Sequence, residues 1–212
     1  MADGPEALSG IAPVSRETAE RLAIFVALLR KWQPAENLIA PSTIDTIWSR
    51  HVADSAQLAV LFPGLTWVDL GSGGGFPGMV VALLGARNVH LIESNRRKCA
   101  FLRAAIRETS AAATVHEGRA ELLLADWHEP VDRISARALA PLTDLLMLAA
   151  PLLEQGVPAA FMKGADYRQE VAAAHGEWDF ELVTHPSKTE AGAAILDIQH
   201  ARRRANQDKT VS

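Results

Sequence analysis

The chain has 212 residues, 49% of them hydrophobic, and a formal net charge of -4. That length buries one full core, so one domain with an appendage is expected, and the negative balance excludes a protein whose whole surface grips nucleic acid. The single cysteine, Cys99, excludes an internal disulfide; no zinc-ligand spacing, no apolar run of roughly 18 residues and no export-type start occur, so a cytoplasmic protein with no metal and no membrane attachment is expected.

Residues 1 to about 14 are small, polar and proline-bearing, the pattern of a frayed end. Ser15 is placed to cap a helix in which Leu22, Phe25, Val26 and Leu29 recur at helical spacing until Pro34 ends it. A second helix is expected from near Ser42 to Phe62, and within it Arg50, His51, Asp54 and Ser55 form RHxxDS. Helical spacing sets His51 against Asp54 and Ser55, three and four residues on, which by itself describes a local hydrogen-bond cluster. No GxSxG elbow accompanies it, so a serine-hydrolase reading is poor. Residues 1–62 therefore read as an N-terminal helical extension.

From Pro63 the pattern changes to alternating strands and helices. Thr66 to Val80, TWVDLGSGGGFPGMV, is an apolar strand ending in an acid, a glycine-dense turn, then a helix with Pro77 in its first turn. Val89 to Ile92 is a second strand closing on Glu93, and Ser94 is placed to cap a helix to about Thr109. Strands follow at Ala113 to His116, Val131 to Ala136 and Val157 to Met162. Helices start near Gly118 and cover Pro141 to Leu153 and Asp166 to Ala174. Trp178 to Thr184 and Ala194 to His200 form a terminal hairpin. The whole is an α/β doubly wound sheet over residues 63–204, with a disordered tail expected over 205–212.

The glycine loop is a nucleotide-binding signal shared by several cofactor classes. Asp69, two residues before Gly71, refines it: beside a pyrophosphate that carboxylate would be repelled, whereas beside the amino group or sulfonium of S-adenosylmethionine it attracts. Glu93, ending the next strand, is suited to accept both hydroxyls of an adenosine ribose, and Ala120 with Glu121 follows the third strand, where an adenine ring could meet the backbone. These residues favour a methyltransferase and leave open an NAD-dependent oxidoreductase or a noncatalytic RNA-binding module on the same fold.

The succession RHxxDS, DLGSGGGFPG, IESNRRKCAFL, GRAE, SARA and FMKG resembles the ribosomal RNA small subunit methyltransferase G family, also called the glucose-inhibited division protein B family, from about Glu36 to Arg203. The resemblance implies a Rossmann-like S-adenosylmethionine-dependent methyltransferase fold that methylates guanine N7 in 16S ribosomal RNA. Its partner would be the small ribosomal subunit or an assembly intermediate. It places the cofactor against Gly71, Gly73, Phe76, Glu93, Ala120, Glu121 and Arg137. Phe76 stands where the family commonly has leucine, and the C-terminal strand lacks an arginine expected near Gly192. Arg137 and Lys163, at the ends of the fourth and fifth strands, become the candidate catalytic-site residues, positioned to hold the guanine O6 or flanking phosphates. The basic runs at Arg96 to Lys98 and Arg202 to Arg204, with Arg119, are candidates for RNA backbone contact.

Overall fold

A computed structural model of the chain describes residues 3–204, so the tail expected over 205–212 lies outside the described residues. The N-terminal stretch is not frayed: a 3-10 turn over Pro5–Leu8 buries Leu8, and the Asp3 carboxylate accepts from the backbone N–H groups of Trp48 and Ser49 at 2.7 and 2.9 Å. Leu8 and Ala12 join the main apolar cluster, and that burial outweighs the polar composition around them. Helix α1 (Arg16–Glu36) starts on Ser15, whose side chain accepts from the N–H of Thr18. It runs through Pro34, because the proline falls in the last turn, where Gln33 is buried and the Asn37 N–H, in left-handed backbone, bonds to the Gln33 carbonyl at 3.0 Å.

The expected second helix is three pieces. A 3-10 segment, Pro41–Thr46, leads into a π-helix, Trp48–Ala53, and then into α2 (Asp54–Leu61). Pro41 starts the first piece, and Asp3 ties the beginning of the second.

In the remainder the elements are β1 (Thr66–Leu70), α3 (Gly78–Leu83), β2 (Asn88–Glu93), α4 (Arg96–Thr109), β3 (Ala113–Glu117), α5 (Ala120–Ala125), β4 (Arg133–Arg137), α6 (Leu142–Leu153), β5 (Ala159–Lys163), α7 (Tyr167–Ala174), β6 (Trp178–Pro186) and β7 (Ala194–Arg203). Asn95, rather than Ser94, caps α4: its Oδ1 accepts from the N–H groups of Arg97 and Lys98 at 2.9 and 3.2 Å. The sheet order is β3-β2-β1-β4-β5-β7-β6, with β7 antiparallel to both its neighbours and the other pairs parallel.

Alternation along each strand sorts the side chains to two faces. Trp67, Val89, Leu91, Ala160, Met162 and Ile195 pack on one face with α1, α3 and α4. Val68, Leu70, Ile92, Ile134, Phe161 and Leu196 pack on the other with α6 and Trp178. The N-terminal extension thus shares its apolar cluster with the sheet. Arg21 of α1 also donates to the carbonyls of Thr109 and Ser110 at 2.7 Å each, satisfying the end of α4. The chain runs outward from β1 through β2 to β3 and then crosses back to β4 on the other side of β1, so the strand order reverses between β1 and β4, where open α/β sheets form a ligand crevice.

Candidate functional site

A cavity of about 820 Å³ opens at that crevice. Its floor is the turn after β1. Gly71, Gly73 and Gly75 take positive φ of 64°, 52° and 89°, a region that side chains with a Cβ rarely adopt. The Ser72 N–H bonds across to the Ile92 carbonyl at 3.0 Å, pinning the turn to the end of β2. Glu93 completes the link: one carboxylate oxygen accepts from the Gly73 N–H at 2.9 Å and the other from the Asn95 N–H at 2.7 Å. Glu93 is largely buried but borders the cavity, and a carboxylate with two such bonds retains lone pairs for further donors.

Gly71, Gly73, Phe76, Glu93, Ala120, Glu121, Arg137 and Lys163 all line this one cavity, so the structure brings together eight of the nine residues assigned above to the cofactor or the catalytic site. The exception is Asp69. Its side chain is wholly buried beneath the turn, with Oδ1 accepting from Ser135 Oγ at 2.7 Å and Oδ2 from the Gly78 N–H at 3.3 Å. Burial lifts its pKa from 3.8 to about 6, against the opposing pull of the Ser135, Ser72 and Gly78 hydrogen bonds. Asp69 holds β1, β4 and the start of α3 together rather than facing the cavity. The reason is parity: it alternates to the same face as Trp67, under α3.

Arg137 lies at the opposite wall. It donates to the Arg50 carbonyl at 3.2 Å, to Asp54 Oδ2 at 3.3 Å and to His51 Nδ1 at 2.6 Å, and its guanidinium carbon stands 5.3 Å from the Phe76 ring centroid. Burial lowers its pKa while Asp54 and Asp69 raise it, and an arginine stays charged under either influence. Lys163 is nearly as enclosed. Its Nζ meets the Ala140 carbonyl at 2.9 Å and Glu170 at 2.6 Å, while Glu170 also accepts from the Leu142 N–H at 2.7 Å. Between these cations the chain is strained: Ala138 has φ of 52°, and Leu139, 40% exposed, covers Gly71 so closely that a Cβ there would meet Leu139 Cδ1 at 2.6 Å.

His51 does not bond Asp54 or Ser55 as the α-helical spacing predicts. In a π-helix the i→i+5 pattern widens the turn and carries the residues three and four on away from the ring. The ring instead stacks on Phe76, at 5.0 Å and 29°, and bonds Arg137 and, through Nε2, Thr43 Oγ1 at 2.8 Å. Ser55 Oγ is buried with no protein partner among the described residues.

Two parts of the wall were not singled out in the sequence. Leu38, Ile39 and Ala40 line the cavity, because the buried Gln33 side chain clamps Ile39 from both sides, donating to its carbonyl at 2.7 Å and accepting from its N–H at 3.0 Å. The β6–β7 tip supplies Ser187, Glu190 and Ala193. It is fastened to α2 by Thr189 Oγ1 to Asp54 Oδ1 at 2.6 Å and by the Lys188 N–H to Gln57 Oε1 at 2.8 Å. A buried glutamine just before a left-handed Asn was the available signal for the first; the polar tip offered none.

Solved structures of similar form confirm the architecture. The fold matches a cofactor-bound protein, Rv0187 from MTB, with TM-score 0.59 at 11% identity over 85% of this chain and 90% of that one. It also matches an O-methyltransferase from Bacillus cereus in complex with SAH, with TM-score 0.55 at 12% identity over 90% and 94%. Both share a Rossmann-like methyltransferase fold with this chain. Sequence similarity is far closer to proteins named ribosomal RNA small subunit methyltransferase G. That of Rhodospirillum centenum is 51% identical over 92% of this chain and 89% of its own length; that of Rhizobium etli is 48% identical over 90% and 96%. The family described as rRNA small subunit methyltransferase G matches residues 18–198, spanning every motif from the helix of Leu22 to the last strand. The chain belongs to the rRNA small subunit methyltransferase G family.

Proposed function

We propose that this chain transfers a methyl group from S-adenosylmethionine to N7 of a guanine in 16S ribosomal RNA. The observation that carries the reading is the single cavity at the β1/β4 reversal, with Glu93 and the glycine turn at one end and two enclosed cations, Arg137 and Lys163, at the other. The residues present fit the cofactor. Gly73 leaves the turn without a side chain where a ligand must approach, Glu93 keeps acceptor capacity for ribose hydroxyls, and the turn before Ala120 and Glu121 presents backbone toward the same space.

Bound S-adenosylmethionine supplies an electrophilic methyl group on a sulfonium. The protein's part is alignment. Guanine N7 is a free acceptor lone pair, so no proton has to leave before it attacks. The cavity matches that economy: its one lining histidine, His51, has Nδ1 taken by Arg137 and Nε2 by Thr43, and is not free to act as a base. Arg137 and Lys163 are suited to hold the O6 edge or adjacent phosphates and so to fix the base in line. Because the chain is acidic overall, we place the substrate in the small subunit or an assembly intermediate, where further contacts supplement the local basic runs.

The test is incubation with labelled S-adenosylmethionine and small subunits from a strain lacking the activity, followed by mapping of 7-methylguanosine through cleavage at the modified base. One discrete modified guanine in 16S RNA is expected, with faster labelling of particles than of protein-free RNA. Labelling at another base or at no discrete position would refute the reading.

A further inference from the structure

The RHxxDS segment supplies the whole hold on one side chain. All three acceptors that hold Arg137 come from it: the Arg50 carbonyl, His51 Nδ1 and Asp54 Oδ2. Since Nδ1 accepts from a guanidinium, the ring is the neutral tautomer with its proton on Nε2, and that N–H donates to Thr43 Oγ1, whose hydroxyl donates to the Ala40 carbonyl at 2.8 Å. The orientation of the imidazole is therefore fixed at both nitrogens and by stacking on Phe76. Among the described residues, Nε–H of Arg137 has no protein acceptor, which leaves a donor for a ligand in the cavity.

Asp54 does a second thing. Its other oxygen accepts from Thr189 Oγ1, so one carboxylate joins the end of β4 to the β6–β7 tip, two segments that both border the cavity. The Arg50–Glu190 pair runs parallel to it but is about half exposed on both sides, so it adds little. As a device for stability alone this is a poor choice, because buried ion pairs rarely outperform apolar packing. As a device for aim it is coherent: every bond constrains the guanidinium or what covers it.

We propose that His51 and Asp54 are positioning residues that aim Arg137, and that Thr189 couples the β6–β7 tip to that aim, so that tip and guanidinium move as one body. The proposal rests on the reading of this cavity as the methyl-transfer site. It assigns the terminal hairpin a role that its sequence does not announce.

The experiment uses the full chain, with small subunits as methyl acceptor, S-adenosylhomocysteine calorimetry for the cofactor side, and thermal melts to verify folding. Thr189→Val is expected to lower kcat/KM for the subunit about tenfold while leaving the homocysteine Kd within about twofold, and Thr189→Ser to restore activity. In an Arg137→Lys background, Thr189→Val should cost less than about twofold further, since the group being aimed is gone. Equal losses in both backgrounds, or no loss from Thr189→Val, would overturn the coupling. Independently of methyl transfer, His51→Phe keeps a ring on Phe76 but offers no acceptor, and should weaken binding of the small subunit, read by co-sedimentation, about tenfold; His51→Asn, which keeps an acceptor, should not. Equal affinity in all three proteins would overturn the role of His51. If the unaltered chain failed to methylate subunits, the functional reading would fall while this binding comparison would still decide the positioning claim.

Discussion

His51 and Asp69 sit on either side of the glycine turn and respond to acid in opposite directions. Burial first, then the charges of Arg137 and Arg50, draw the His51 pKa from 6.5 to about 3. Once unfolded, the ring regains its ordinary affinity, so between pH 6.5 and about 3 the unfolded chain takes up a proton the folded one refuses. Stability associated with His51 is complete above pH 6.5 and drains as pH falls toward about 3. Asp69, raised from 3.8 to about 6, contributes stability that is complete below pH 3.8 and lost as pH rises through about 6. The His51 displacement is the larger, so these two sites together weaken the fold on acidification. Melting temperatures taken from about pH 7.5 to about pH 5 should fall less in His51→Asn than in the unaltered chain, and more steeply in Asp69→Asn, where the opposing contribution is gone. A slope unchanged in both variants would contradict the assignment. Glu93 and Gly71 were legible in the sequence because each follows directly from a strand end. The orientation of Asp69 was not, because a strand-end acid can face ligand or core, and only the register under α3 decides.

Among the elements, the segment between α1 and the 3-10 turn Pro41–Thr46 is the least expected contributor to the site. Leu38 presses its carbonyl onto the glycine turn, so that a Cβ at Gly74 would lie 2.8 Å from that oxygen. Gln33 prevents the carbonyl's neighbour from moving away. Gly74→Ala should therefore cost roughly 1–3 kcal/mol, as overpacking against fixed backbone does. Gln33→Ala should cost about as much, by leaving buried Ile39 groups unpaired. In the double variant the backbone is free to yield, so the combined loss should be smaller than the sum, a non-additivity that denaturant titration of the four proteins measures. Strict additivity would show that Leu38 is not held by Gln33. Period and caps made most elements readable, while Pro34 misled because a proline breaks a helix interior but is tolerated where the final turn is closed by Asn37. The π-helix was hidden because its residues are as compatible with α as with π geometry, and tertiary ties from Asp3 and Arg137 accompany the wider turn.

On the scale of the molecule, the boundary drawn at residue 62 marks a change of sequence pattern, and we propose that it is not a boundary of folding. Leu22, Phe25, Leu29, Trp48 and Val52 belong to the same buried cluster as Trp67, Met79, Leu91 and Phe101. Four of those extension side chains would each forfeit roughly 1.5–3 kcal/mol of burial if the two parts separated. A chain beginning at residue 63 should therefore show no cooperative thermal transition, whereas the full chain melts in one step. A sharp melt of the shortened chain would refute this.

The Arg21 bonds to the end of α4 carry a consequence for biosynthesis. The donor precedes its Thr109 acceptor by 88 residues. At a synthesis rate of about 5–20 residues per second, α1 leaves the ribosome roughly 4–18 s before α4 exists to receive it. For that interval the stripe of Leu22, Phe25, Val26 and Leu29 has no sheet to cover it, so the nascent chain carries an exposed amphipathic helix until its own centre has been made.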